Sequence, residues 1–478
     1  VSHTRIIVPH HLQIPSIVWD ILVVVLLWAI VGYGMWLRIE QADRYPISQN
    51  DDGLFYVWAG NAILDNFFHP TTLSIFEQSN DHMVWRSQYK NIYPAEQFGY
   101  RIVDPWFDHP FLSTLFIALP ARALGFRDFD QIPHMIVRAP ALMTAMLTLL
   151  ATYYLTKTVT QQRWLSLLAT SFISFWPLAA FSQRQSYFEN FMTPVFLLLL
   201  AWLWKYRQQS TRWLFVGIMC CCFILSWTKI VGYLSFLIVA FWLWEAKKIK
   251  PAILAIGLGV TSALLYVGYG YALSGAGFLH TILNQGGRGA YLASIFHIFT
   301  HPEVYGVIQD GWWFLGILAM GWAMTRTSMG ARFVAGNFWW WMIAQFVISG
   351  PENTSPWYRY PVYPLMMIGV ALLVEYYWKH RSVFIASLFV ILGFTGFSLA
   401  AMPLSSSIIR LSAVGFIGLF SLVELYKDTS WGKWLGRMVM MVMLGLCIYG
   451  NICAIRNYPS TTCTGEACLK PTRIEITQ

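Results

Sequence analysis

Acidic residues are scarce in this sequence: Asp and Glu number 23 in 478 residues, and all charged residues together make up 12%. A soluble chain of this length usually divides into two or three domains and carries about twice that share of charge. The scarcity excludes an ordinary soluble multidomain protein. Short segments with period-2 alternation are missing too, which excludes a membrane β-barrel. Cysteines number seven. Three of them, Cys220, Cys221 and Cys222, sit inside an apolar run, where a thiol behaves as a small apolar side chain.

What the chain has in abundance is apolar length. Hydrophobic residues make up 57% of it and the mean hydropathy is +0.51. Apolar runs recur, each suited to the roughly 20 residues that a bilayer-spanning helix needs. The pattern predicts an all-α polytopic membrane protein, a single integral membrane domain over residues 1–478. The net charge of +9 requires no nucleic acid as a partner, because basic loops on one membrane face supply it. The first run, Ser16 to Leu37, is too long for a signal-peptide core and lacks a small-residue cleavage site. It reads as a retained first helix.

Apolar length places thirteen spans, at about 17–37, 136–156, 164–182, 190–204, 213–228, 230–244, 251–272, 309–325, 333–350, 361–378, 383–402, 407–425 and 438–454. Lys and Arg in short loops orient them. "KTVTQQR", "KYRQQSTR", "EAKKIK", "TRTSMGAR", "KHR" and "YKDTSWGKWLGR" each carry at least two basic residues, and the loops between them are poor in both. This alternation puts the N-terminus inside and the C-terminus outside. Phe111 to Phe126 is short, contains Pro120, and would reverse the alternation if it spanned. It reads as an interfacial or re-entrant helix. A first outer loop then runs from about 38 to 135, a second from about 273 to 308, and a tail from 455 to 478 is exported. Loops of this size usually carry function, so the outer face is the expected active face. An exported tail also makes a Cys463–Cys468 disulfide an expectation.

The topology selects a small set of ionisable residues at the outer edge: Asp51, Asp52, Asp108, His109, Arg138, Arg184, Glu189, Lys229, Arg288, Glu352 and Arg359. Asp51 and Asp52, in "SQNDDGLFYVWAGN", are adjacent carboxylates whose repulsion needs a cation, a metal or a proton to offset it. Such a pair can act as a general base or hold a divalent metal, although a helix-start Asp pair is also ordinary capping chemistry. His109 beside Asp108, in "DPWFDHPFLSTL", could ligate a metal with a nearby acid. Glu189 and Arg184 lie in a very short outer loop, "FSQRQSYFENFMTP", which holds them at the membrane surface. Lys229, Arg288 and Arg359 project outward, where a lipid phosphate presents its charge. Snorkelling to the interface is the ordinary alternative for Lys229. Glycines around Arg288, in "NQGGRGAY", would let backbone N–H groups approach an anion.

The order of these features resembles the GT-C superfamily of integral membrane glycosyltransferases. It runs from one helix to a long outer loop opening with Asp-Asp, then "DHPFL", "RAPAL", Arg184 followed by Glu189-Asn190, Lys229-x-x-Gly and "RYPVYP". The protein O-mannosyltransferases and the lipid A aminoarabinose transferases are the nearest groups, over about residues 45–235 with an echo at 355–366. The resemblance implies inverting transfer of one sugar from a polyprenyl-phosphate donor to a lipid, glycan or protein hydroxyl on the extracytoplasmic face of a plasma or inner membrane. By position Asp51 is then the base or acceptor organiser, with Asp52 standing where Glu is more usual. Glu189 is the second acid, and Lys229, Arg359 and Arg288 match the cations that face the donor phosphate. Arg184, beside Glu189 in the same short loop, is expected to join them. Tyr56, Asp108 and Tyr360 are expected on the acceptor side. His109, with Asp52, is the expected ligand set if a divalent metal serves as cofactor. His109 falls on the family's "HPP" motif, whose second proline is Phe111 here. No long soluble C-terminal domain follows, which sets the expectation away from the oligosaccharyltransferase branch. Two other classes compete: an outer-leaflet polysaccharide polymerase or ligase, and a lipid or glycan transporter. A transporter should show internal repeats and polar, broken helices at mid-membrane, and neither is evident.

Overall fold

A bilayer offers backbone N–H and C=O groups no partner, so apolar runs within it close their own hydrogen bonds as helices. The computed structural model describes residues 16–43, 52–65, 72–73, 84–87, 99–103, 109–126, 132–286, 310–348, 356–394, 402 and 404–462. Its helices are α1 (Ser16–Ile39), α2 (Asp52–Asp65), α3 (Leu112–Ala123), α4 (His134–Thr160), α5 (Arg163–Phe175), α6 (Pro177–Ser182), α7 (Phe188–Gln209), α8 (Arg212–Thr228), α9 (Leu234–Glu245), α10 (Ile249–Ser274) and α11 (Ala276–Gly286). After them come α12 (Gly311–Met324), α13 (Met329–Ile348), α14 (Tyr363–His380), α15 (Val383–Leu392), α16 (Ser406–Leu425) and α17 (Ser430–Thr462). Two 3-10 turns, Ile230–Tyr233 and Pro356–Val362, precede α9 and α14.

A helix overlies each of the thirteen apolar segments. Among the described residues, six helices are long and apolar enough to cross a membrane, those at Ile17–Ile39, His134–Thr160, Ile249–Ser274, Trp357–His380, Ser406–Leu425 and Ser430–Asn457. The chain is an integral membrane protein built chiefly of helices. Two features depart from the sequence expectation. The segment 164–182 is two helices, because Pro177 drives the residue before it into extended backbone, and Trp176 sits at φ −79, ψ 120. The first loop also holds a small antiparallel sheet in the order β1-β3-β2, with β1 Thr72–Leu73, β2 Val84–Ser87 and β3 Gly99–Val103. In it Trp85 lies opposite Arg101. A short helix, α3, covers most of the segment Phe111 to Phe126.

The basic loops gather at one end of the bundle. Arg207 pairs with Glu245, Gln162 donates to Glu375 at 2.9 Å, and the Tyr377 hydroxyl donates to the Gly436 carbonyl at 3.2 Å. The main core is a single apolar cluster that takes side chains such as Phe196, Trp312, Trp341 and Met366 from α7, α12, α13 and α14. A second cluster, with Tyr56, Val57, Ile117, Val137, Phe188 and Phe191, seats the first loop on the other end. Gly60 sets that seating. A Cβ there would lie 2.1 Å from the Thr114 carbonyl oxygen, so α2 and α3 touch backbone to backbone.

Candidate active site

Helix α7 carries Glu189 in its first turn and Arg207 in its last, about 27 Å apart at 1.5 Å per residue. That is close to the roughly 30 Å hydrocarbon thickness. Glu189 therefore lies at the end of the bundle opposite the basic loops, and the described candidate residues gather around it.

Glu189 and Lys229 meet. Lys229 follows the last residue of α8 in extended backbone, φ −156 and ψ 148, before the 3-10 turn at Ile230–Tyr233. That break turns its side chain into the bundle, where the residue is 6% exposed and Glu189 is 1% exposed. The Lys229 ammonium donates to Glu189 Oε1 at 2.6 Å. It also lies 4.1 Å from the centroid of the Tyr358 ring, a cation–π contact. Snorkelling is thus not what Lys229 does.

Neighbouring elements frame the pair. The 3-10 turn Pro356–Val362 brings Tyr358 and Arg359, and Trp341 Nε1 and Gln345 Nε2 of α13 donate to the Tyr358 carbonyl. Trp357 stacks on Tyr187 at 4.8 Å and 13°. Arg359 is 1% exposed, with its guanidinium 5.3 Å over the Trp313 ring. Tyr360 is also buried, between Tyr187 and Tyr363.

The first loop arrives through Phe188, the residue before Glu189. Tyr56 stacks on its ring at 4.0 Å, and His109 meets it edge-on at 5.0 Å. Asp52 opens α2, and a Cβ on its neighbour Gly53 would lie 2.7 Å from Val137 and 3.4 Å from Ser186. The start of α2 therefore abuts the loop that leads into Glu189. Asn190 closes that loop, its amide donating to the carbonyls of Ser182 at 2.8 Å and Gln185 at 2.6 Å.

Arg184 is held by backbone. Its guanidinium donates to the carbonyls of Leu37 at 2.6 Å, Arg38 at 3.0 Å and Glu40 at 2.8 Å. Those carbonyls are left over at the end of α1, so Arg184 ties that helix to the bundle. Arg38 reciprocates, donating to Gln183 Oε1 at 2.7 Å and to the Ile173 and Ser174 carbonyls at the break after α5. Arg138 likewise donates to the Ala42 carbonyl at 2.6 Å. Asp51, Asp108, Arg288, Glu352, Cys463 and Cys468 lie outside the described residues. Among the described residues no three His, Cys, Asp or Glu side chains come together as a metal site.

Sequence reasoning missed several members of this end. Phe188, Tyr187 and Tyr358 look like ordinary membrane aromatics in the sequence. Asp310, at the start of the segment 309–325, is buried. It accepts from Trp176 Nε1 at 2.6 Å and from the Trp312 N–H at 2.8 Å. An acid just before an apolar run is an N-cap signal, and that signal could have found it.

No protein-family model matches the chain, and no curated protein does. Solved structures do. Over 92% of its length the chain is similar to 78% of ArnT from Cupriavidus metallidurans in a crystal structure bound to undecaprenyl phosphate, at 13% identity and a TM-score of 0.46. Over 89% of its length it is similar to 56% of the archaeal oligosaccharyltransferase AglB from Archaeoglobus fulgidus, in complex with an inhibitory peptide and a dolichol-phosphate. There the identity is 9% and the TM-score 0.46.

Proposed function

We propose that the protein transfers a single sugar, with inversion, from a polyprenyl-phosphate donor to a hydroxyl acceptor at the extracytoplasmic membrane surface. The observation that carries this reading is the buried Glu189–Lys229 pair, at the bundle end where Arg359 and the first loop also meet. In the proposed reaction the acceptor oxygen attacks the anomeric carbon while Asp51 takes the hydroxyl proton. The bond from that carbon to the phosphate oxygen breaks, and polyprenyl phosphate leaves with the electron pair. Lys229 and Arg359 stabilise the charge that develops on it, commonly the larger contribution to catalysis. Arg288, from the second outer loop, is proposed as a further phosphate partner.

Glu189 acquires a more specific task from its partner. Held at 2.6 Å, it fixes the Lys229 ammonium in place and keeps that buried cation compensated before the donor arrives. Phe188 couples this pair to the acceptor side through Tyr56 and His109. A divalent metal held by His109 and Asp52 is part of the proposal. On that reading chelation lowers activity and Mg2+ or Mn2+ restores it.

The test is mass spectrometry of lipid co-purified with the protein, followed by transfer assays in liposomes with the donor so identified. A bound polyprenyl-phosphate sugar, and release of bare polyprenyl phosphate on adding acceptor, support the reading. Growth of lipid-linked chains instead identifies a polymerase, and movement of intact lipid across the bilayer identifies a transporter.

A further inference from the structure

At the basic-loop end, away from the candidate active site, a groove of about 340 Å³ runs between α9, α12 and α13. Its walls are apolar, with Phe241 and Trp242 of α9, Met324 of α12, and Trp339, Trp340 and Ile343 of α13. The walls are fixed by the protein's own contacts. Trp242 Nε1 donates to Asn337 Oδ1 at 3.0 Å, the Trp242 ring packs on Phe333 at 4.8 Å, and Phe241 meets Trp340 edge-on at 5.2 Å. Gly336 lines the groove, and a Cβ there would come within 2.9 Å of the Trp242 ring.

Only the mouth of the groove is charged. Glu245 is already paired with Arg207, whose guanidinium lies 5.0 Å over Trp242. Arg332 is exposed there and makes no ion pair among the described residues. The mouth therefore keeps one unopposed positive charge. From Arg332 to Ile343 α13 advances about 16 Å, roughly one leaflet of the 30 Å hydrocarbon core. The groove thus has a cationic end at helix-terminus level and an aromatic slot one leaflet deep.

We propose that this groove holds one acyl chain of an anionic glycerophospholipid from the adjoining leaflet, with the headgroup phosphate on Arg332. Basic residues next to a membrane attract anionic headgroups, and the slot's fixed aromatic walls spare a chain the cost of ordering them. The site is independent of the transferase reading.

The experiment uses the full chain in nanodiscs of equal parts phosphatidylcholine and phosphatidylglycerol, with native mass spectrometry of the released protein. One phosphatidylglycerol is expected to stay bound in preference to phosphatidylcholine. Arg332→Gln, at an exposed position, should lower that preference about tenfold, the worth of one charge-assisted hydrogen bond. Gly336→Leu, which fills the slot, should lower retention of both lipids. Equal retention of the two lipids by the parent protein, a preference unchanged by Arg332→Gln, or no retained lipid overturns the proposal.

Discussion

The Lys229 ammonium and the Glu189 carboxylate, forty residues apart in the chain, form a 2.6 Å ion pair buried at the end of the helix bundle. The sequence resemblance had set the two residues on opposite sides of the expected reaction, acceptor and donor. Their direct contact makes them one unit, so substitutions at either should act through the other.

Removing one partner leaves an uncompensated buried charge. Glu189→Gln and Lys229→Met should each destabilise the protein by about 3 kcal/mol or more. The double variant should cost less than the sum of the two. Thermal unfolding in one detergent measures all three, and additive losses would show that the pair is not coupled.

Asp51→Asn should lower transfer by about 10²–10⁴ while leaving binding of the polyprenyl-phosphate donor intact. Single-turnover assays with the donor identified by mass spectrometry give the rate. A variant with full activity removes Asp51 as the base and moves the test to Asp52→Asn.

Arg184 and Arg359 should separate cleanly. Arg184 holds the carbonyls at the end of α1, so Arg184→Gln should lower the melting temperature and leave the KM for donor close to that of the parent protein. Arg359→Gln should instead raise that KM and lower kcat, as expected for a group that meets the phosphate. A donor KM raised by Arg184→Gln alone would return it to the phosphate set.

Phe188 holds the first loop to α7 through Tyr56 and His109. Phe188→Ala should cost about 3 kcal/mol of stability through the cavity it leaves. Phe188→Leu keeps most of the volume and loses the ring contacts. It should raise the KM for acceptor more than that for donor, measured by varying each substrate in turn.

Gly60→Val would place side-chain atoms against the Thr114 carbonyl, from which even a Cβ would be only 2.1 Å away. Helices α2 and α3 must then separate. Limited proteolysis should cut the first loop faster in this variant than in the parent, with the rest of the bundle protected.

The class of protein and most of its helices were written in composition and apolar length alone. Scarce charge and long apolar runs leave a chain little choice, because a bilayer satisfies no backbone group. Pro177 in "FWPL" marked a break that apolar length alone overlooked. Glu189, Lys229 and Arg359 were legible as residues at the ends of apolar runs, since a short loop cannot carry its charges far, while Asp52 and His109 were legible only as residues of the long first loop. What each of them touches was not legible. Packing brought Glu189 to Lys229, Arg184 to the end of α1, and Tyr56 and His109 to the ring of Phe188. Those contacts join segments far apart in the chain, and they depend on how the helices pack and where each backbone breaks. At Lys229 a single extended residue between α8 and a 3-10 turn settles the matter, turning an ordinary interfacial lysine into the buried partner of an acid.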